Sequence, residues 1–153
     1  MQELVDLLIQ NNISLSSCES FTGGLFASSI TSYPGVSKIF KGSIIAYQNE
    51  IKRDVLKIDD HIFKEFGVIS DKMAIEMAVK SRELFKSDLS VSFTGNAGPS
   101  NLENKPVGVW YLGLAYKDNT LVYEFNDSGT RESIRLNAVR KAFEILHEII
   151  RNY

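Results

Sequence analysis

Residues 107 to 116 read VGVWYLGLAY, ten positions without a charge in which both alternating faces are apolar. A strand with one wet face alternates apolar and polar residues, whereas a strand apolar on both faces is covered on both. The run therefore predicts a central strand between two layers, and TLVYEF, after the Lys117-Asp118-Asn119 turn, reads as its hairpin partner. A sheet that needs two covers restricts the chain to layered architectures, with helices as the covering elements.

The remaining periodicities supply those helices. Leu4, Leu7, Leu8 and Ile13 predict a short first helix ending near Asn11-Asn12, with a strand over about 14 to 19. Thr22-Gly23-Gly24 then opens a second helix to about Ser32. The Tyr33-Pro34-Gly35 turn precedes KIFKGSIIAY, a strand or strand pair ending at Tyr47. Two short helices fit the charged stretch from Gln48 to Gly67. A helix from Ser70 to about Phe85 carries Met73, Met77 and Leu84 with Ala74, Ala78 and Phe85 on one face, and Ser70 as its cap. DLSVSF is a strand running into Thr94-Gly95-Asn96-Ala97-Gly98, followed by about a dozen residues without regular pattern. The last helix, Thr130 to about Arg151, has Ile134, Ala138, Ala142, Ile145 and Ile149 in one stripe. The expected fold is α/β: one domain over residues 1–153, a mixed sheet flanked by helices on both faces.

Composition narrows the function classes. A chain of 153 residues buries roughly 70% of its unfolded surface and needs no staples. One cysteine, Cys18, excludes an internal disulfide, and with only His61 and His147 beside it no four-ligand Cys/His zinc set can form. A reducing, cytoplasmic setting follows as the expectation. Seventeen basic against nineteen acidic residues, net −2, provide no global field for nucleic acid or membrane. No apolar run approaches the roughly 20 residues of a membrane span.

Chemistry-bearing residues gather at four places. In Cys18-Glu19-Ser20-Phe21-Thr22-Gly23-Gly24, a serine follows a strand and precedes a Gly-Gly helix start, where free N–H groups could face an oxyanion or a phosphate. In the alternative, Thr22 merely caps the helix and the glycines merely turn the chain. The stretch is not the G-x-S-x-G elbow, and both histidines read as surface residues, so a base for Ser20 is sought among lysines, tyrosines and carboxylates. Tyr47, Asn49, Glu50 and Lys52 offer such a set at a strand end. A lysine serves only if burial brings its pKa from about 10.4 toward 7 or 8. Arg131 and Arg135, four apart at a helix start, run against the dipole preference and suit an anion, Asp127, Glu132 or solvent being the other ways to balance them. Asn96 in the glycine-containing 94–98 loop can donate and accept, as a carboxamide or ribose requires.

Taken in order, ESFTGG, YPGVSKIFKGSIIAYQNEIK, GVIS, FTGNAGP, KPVGVWY and SGTRESIR resemble the CinA C-terminal domain family, which includes stand-alone nicotinamide mononucleotide amidohydrolases. The resemblance implies hydrolysis of the carboxamide of nicotinamide mononucleotide to nicotinic acid mononucleotide and ammonia, with no metal or organic cofactor and a small-molecule nucleotide as partner. It also suggests a homodimer. Ser20 falls on the serine of the family's E-S-C-T-G-G motif, and Tyr47, Asn49 and Lys52 fall on A-Y-S-N-E-x-K. Thr94, Gly95, Ala97 and Gly98 match T-G-I-A-G-P, Lys105 and Gly108 match K-P-V-G, and Arg131 and Arg135 match G-D-R…I-R. The chain departs at Phe21, Asn96 and Thr130, where the family has cysteine, isoleucine and aspartate.

By position, the implied mechanism has Ser20 attacking the amide carbon, Lys52 moving the proton and Tyr47 relaying it. N–H groups of Thr22, Gly23 and Gly24 would hold the oxyanion, Glu19 would orient neighbours, and Arg131 with Arg135 would hold the phosphate. The other reading is a non-catalytic nucleotide-binding or protein-interaction domain of the same family, linked to competence or DNA damage.

Overall fold

A computed structural model describes residues 1–152; Tyr153 lies outside the described residues. The elements run α1 (Gln2–Gln10), β1 (Leu15–Glu19), α2 (Leu25–Ile30), a 3-10 turn (Val36–Lys38), β2 (Phe40–Ile45), α3 (Asn49–Asp54), α4 (Asp60–Phe66) and α5 (Asp71–Phe85). They continue with β3 (Leu89–Gly95), β4 (Val109–Tyr116), β5 (Asn119–Asn126) and α6 (Arg131–Arg151). The strands form one mixed sheet in the order β2-β1-β3-β4-β5. β1 is parallel to both β2 and β3, and β4 is antiparallel to β3 and β5.

Every residue of β4 is buried, as its two-sided apolar pattern requires. Leu15, Leu89, Val91, Phe93, Trp110, Leu112 and Leu114 form one face under Leu4 and Leu8 of α1, Phe26 of α2, and Ala138, Ala142 and Phe143 of α6. The opposite face carries the small residues Ser90, Ser92, Gly113 and Ala115, all buried, beside Val109 and Tyr111. These let α5 lie close to the sheet: Ser92 Oγ donates to the Ala74 carbonyl at 2.5 Å, and a Cβ on Gly113 would stand 2.2 Å from that oxygen. The helices thus cover both faces, and the β2-β1-β3 strands end together at one rim.

Capping follows the sequence. Ser70 Oγ accepts from Met73 N and Thr130 Oγ1 accepts from Ser133 N, both at 3.1 Å. Three expectations shift. α2 begins only at Leu25 because Gly23 and Gly24 adopt φ of 59° and 99°, a left-handed turn that holds the chain out of the helix for one more step. Leu84 is 49% exposed; the buried stripe of α5 runs through Met73, Ala74, Met77, Ala78 and Ser81 instead. KIFKGSIIAY yields a single strand, β2, that stops two residues before Tyr47. Among the described residues no helix is long and apolar enough to cross a membrane.

Candidate active site

The carboxyl ends of β1, β2 and β3 lie side by side, the position where open α/β sheets form ligand crevices. Ser20 follows β1 directly, its N–H bonded to the Phe93 carbonyl at 3.0 Å. The Ala46-to-Lys52 segment leaves β2 and turns into α3, which points its one buried residue, Lys52, inward. Lys52 is 1% exposed, and its Nζ lies 2.7 Å from the Ala46 carbonyl and 3.2 Å from Ser20 Oγ.

Burial pushes the Lys52 amine down to about 8, against a smaller opposing pull from the Glu103 carboxylate. The buried Cys18 thiol beside it is pushed up to about 12 by desolvation and stays neutral. At pH 7 about one Lys52 in ten is therefore neutral, compared with fewer than about one in a thousand for a solvated lysine. A neutral amine at hydrogen-bond distance from a serine hydroxyl has the geometry of a base–nucleophile pair.

The turn after Ser20 is held from both sides, by Glu19 within and Arg135 without. Glu19 is fully buried, and its carboxylate accepts from the N–H groups of Gly24 at 2.9 Å, Phe26 at 3.1 Å and Ala27 at 2.9 Å. The positive end of α2 is thus filled by the protein's own carboxylate. This corrects the expectation that the Gly24 amide faces an oxyanion, and the Gly23 amide is likewise bonded to the Ser20 carbonyl. Thr22 does not cap: its hydroxyl is buried without a hydrogen-bond partner among the described residues. On the outer side Arg135 donates through Nε to the Phe21 carbonyl at 3.0 Å and through Nη2 to the Thr22 carbonyl at 2.9 Å. Arg135 is therefore a brace on the serine turn, which corrects its assignment to a phosphate. Two backbone carbonyls balance it, not Asp127 or Glu132. The amides of Phe21 and Thr22 make no hydrogen bond among the described residues.

The 94–98 loop is also braced internally. Thr94 Oγ1 donates to the Val68 carbonyl at 2.6 Å. Gly95 is packed so closely that a Cβ would meet Trp110 Cβ at 2.2 Å. Asn96, 2% exposed, accepts from Gly98 N at 2.9 Å and donates to the Ser100 carbonyl at 2.9 Å, so both ends of its amide hold the loop and not a ligand. Lys105 contributes its carbonyl to that loop, and its side chain lines neither hollow described next.

Two adjoining hollows share Ser20, Tyr47, Gly95 and Leu102. The first, about 300 Å³, adds Asn49, Lys52, Val68, Ile69, Thr94 and Glu103. The second, about 250 Å³, adds Phe21, Asn96, Ala97, Gly98 and Arg131 among others. Arg131 spans the second hollow, donating to the Gly98 carbonyl and, at 3.0 Å, to the Tyr47 hydroxyl. Tyr47 makes no hydrogen bond to Ser20 or Lys52, so the expected relay through its phenol is absent from this geometry. Thr22, Gly23 and Gly24 line neither hollow.

Sequence reasoning missed Glu103, Val68, Ile69, Leu102 and the lining role of Phe21, whose ring packs on Trp110 at 5.9 Å. Glu103 accepts from Val68 N at 2.9 Å and Ile69 N at 3.0 Å, fastening the irregular 99–106 segment across to the start of α5. The available signal was a lone carboxylate in a long structureless loop. His61 pairs with Asp59 and His147 with Glu3, and neither lines a hollow.

Fold and site together define an α/β domain in which a strand-end serine meets a buried lysine beside a divided crevice. The chain belongs to the CinA C-terminal domain family, whose model matches residues 1–150. Among curated relatives, a Listeria monocytogenes protein described as competence-damage inducible is 38% identical over 152 residues, covering 98% of this chain and 37% of that protein. One from Bacillus cereus is 39% identical over 145 residues, 94% of this chain and 35% of that protein. The chain thus spans little more than a third of the curated relatives it matches. Of solved structures, the competence/damage inducible protein CihA from Agrobacterium tumefaciens is 32% identical with a TM-score of 0.87, covering 95% of this chain and 92% of that one. A CinA superfamily protein from Klebsiella pneumoniae reaches 0.96 at 22% identity over 99% and 96% of the two chains, a likeness of fold.

Proposed function

We propose that this domain hydrolyses the carboxamide of nicotinamide mononucleotide, giving nicotinic acid mononucleotide and ammonia. The observation that carries the reading is the buried Lys52 amine, lowered to about 8, at 3.2 Å from Ser20 Oγ. Neutral Lys52 takes the Ser20 proton as Oγ attacks the amide carbon, and the resulting ammonium returns it to the departing ammonia. Water then cleaves the serine ester with Lys52 again as base, releasing the acid and restoring the hydroxyl. The unbonded amide of Phe21, a residue that lines the second hollow, takes the oxyanion, a contribution of roughly 3 to 4 kcal/mol per donor in other enzymes. Tyr47 positions Arg131, which keeps unused N–H donors for the phosphate in the second hollow. Binding energy from that phosphate aligns the amide over Ser20.

The test is ammonia release from nicotinamide mononucleotide, nicotinamide riboside and nicotinamide in parallel, for the wild type, Ser20→Ala and Lys52→Ala. The expected pattern is turnover of the mononucleotide above the other two, lowered at least a thousandfold in both variants. Full activity of Ser20→Ala would remove the nucleophile. Ligand binding by the wild type without ammonia would replace the hydrolase by a binding module.

A further inference from the structure

The divided crevice has a charge pattern beyond what amide hydrolysis itself requires. The first hollow holds Lys52 and, on its far wall, Glu103; the second holds Arg131. The Glu103 carboxylate, on an exposed residue, is held at the hollow by the Val68 and Ile69 amides. The remaining groups of the first hollow, Ser20, Tyr47, Asn49 and Thr94 with the apolar Val68, Ile69 and Leu102, supply no cation. When Lys52 is neutral, as attack by Ser20 requires, that hollow is left with one uncompensated negative charge.

We propose that Glu103 is a specificity determinant: it selects an amide carried on a cationic ring, an N-substituted pyridinium, over the same amide on a neutral ring. This rests on the amide-hydrolase reading above. A pyridinium in the first hollow restores charge balance with Glu103 while Lys52 is neutral, and a neutral ring of the same shape does not. The cation also stands beside Lys52, where a second positive charge disfavours the ammonium and so favours the reactive amine. The anionic end of the same ligand then faces Arg131, so the crevice is complementary to a zwitterion: cation at the reacting end, anion at the other.

The test compares nicotinamide mononucleotide with its neutral-ring isostere, in which a benzamide carbon replaces the pyridinium nitrogen, in the wild type and in Glu103→Gln. Dissociation constants are measured by calorimetry and kcat/KM by ammonia release. The wild type is expected to favour the cationic ring, and Glu103→Gln to reduce that preference about tenfold, the size expected of one partly solvated charge pair. Because Glu103 also fastens the loop, a loss of affinity common to both ligands reports the loop and not the charge, so the readout is the ratio between them. A ratio unchanged by the substitution, or a wild type indifferent to ring charge, overturns the inference and leaves Glu103 as a latch. Cation-selective binding that depends on Glu103, without ammonia release from either ligand, sustains the inference and refutes the hydrolase reading.

Discussion

Replacing Lys52 by methionine separates the amine's chemical role from its effect on the fold. Burial lowers the lysine from 10.5 to about 8, so between those values the unfolded chain binds the proton that the folded protein has lost. The sign follows: the destabilisation is absent above about 10.5 and complete below about 8, and stability rises with pH between them. Linkage gives about 3 kcal/mol of destabilisation at pH 7 and about 2 kcal/mol at pH 9. Lys52→Met removes this contribution at every pH, and it also strips the Ala46 carbonyl of its 2.7 Å donor. That second loss is about 1–3 kcal/mol and independent of pH. The sign of the net change at pH 7 therefore depends on their balance, but the pH dependence does not. The wild type should gain roughly 1 kcal/mol on the variant between pH 7 and pH 9. Urea unfolding followed by circular dichroism resolves this as a change of ~0.6 M in the separation of the two midpoints. A separation that does not move with pH refutes the burial argument, because it means Lys52 titrates as a solvated lysine. In the same protein kcat/KM should rise about tenfold per pH unit up to about 8 and level off above it, and the variant should be inactive.

Glu19→Gln replaces an acceptor of three backbone amides by a group with one acceptor oxygen and two donors, and should cost about 3 kcal/mol. Thermal unfolding should show this as a Tm lower by roughly 6–12 °C, and an unchanged Tm would deny Glu19 its anchoring role. The two arginines should separate in steady-state kinetics. Arg131→Ala should raise KM for the mononucleotide about tenfold at nearly constant kcat, whereas Arg135→Ala should lower kcat more than it raises KM by loosening the serine turn. The reverse pattern would return Arg135 to the phosphate.

Much of the layered fold was legible because burial writes a period into the chain. The unbroken apolar run of β4 has one geometry that hides it, and the cap at Ser70 marks its helix by local chemistry alone, whereas the buried face of α6 keeps Ile134, Ala138 and Ala142 of the predicted stripe but runs on through Phe143, Leu146 and Ile150 in place of Ile145 and Ile149. Gly23 and Gly24 predict a helix start that their left-handed backbone delays, because a glycine pair declares freedom without declaring its direction. The spacing places Leu84 in a buried stripe that its exposure excludes, because periodicity says which residues share a face but not how far the covering layer extends.

The same division runs through the site. The strand-end position of Ser20, the nearby lysine and the two arginines could be found from residue type and order. Which atoms each would meet could not, because a donor or acceptor is indifferent to whether its partner is a ligand or the protein's own backbone. Only the packed structure spends Arg135 on the Phe21 and Thr22 carbonyls, Glu19 on the amides of α2 and Asn96 on its own loop, leaving Arg131 facing the crevice. Only packing buries Lys52 deeply enough to lower its amine, and only the crossing of the 99–106 segment brings Glu103 to the same hollow. Sequence determined the layers and the supply of reactive groups, since these depend on local pattern. Tertiary structure decided their partners and protonation, since these depend on distance and desolvation between residues far apart in the chain.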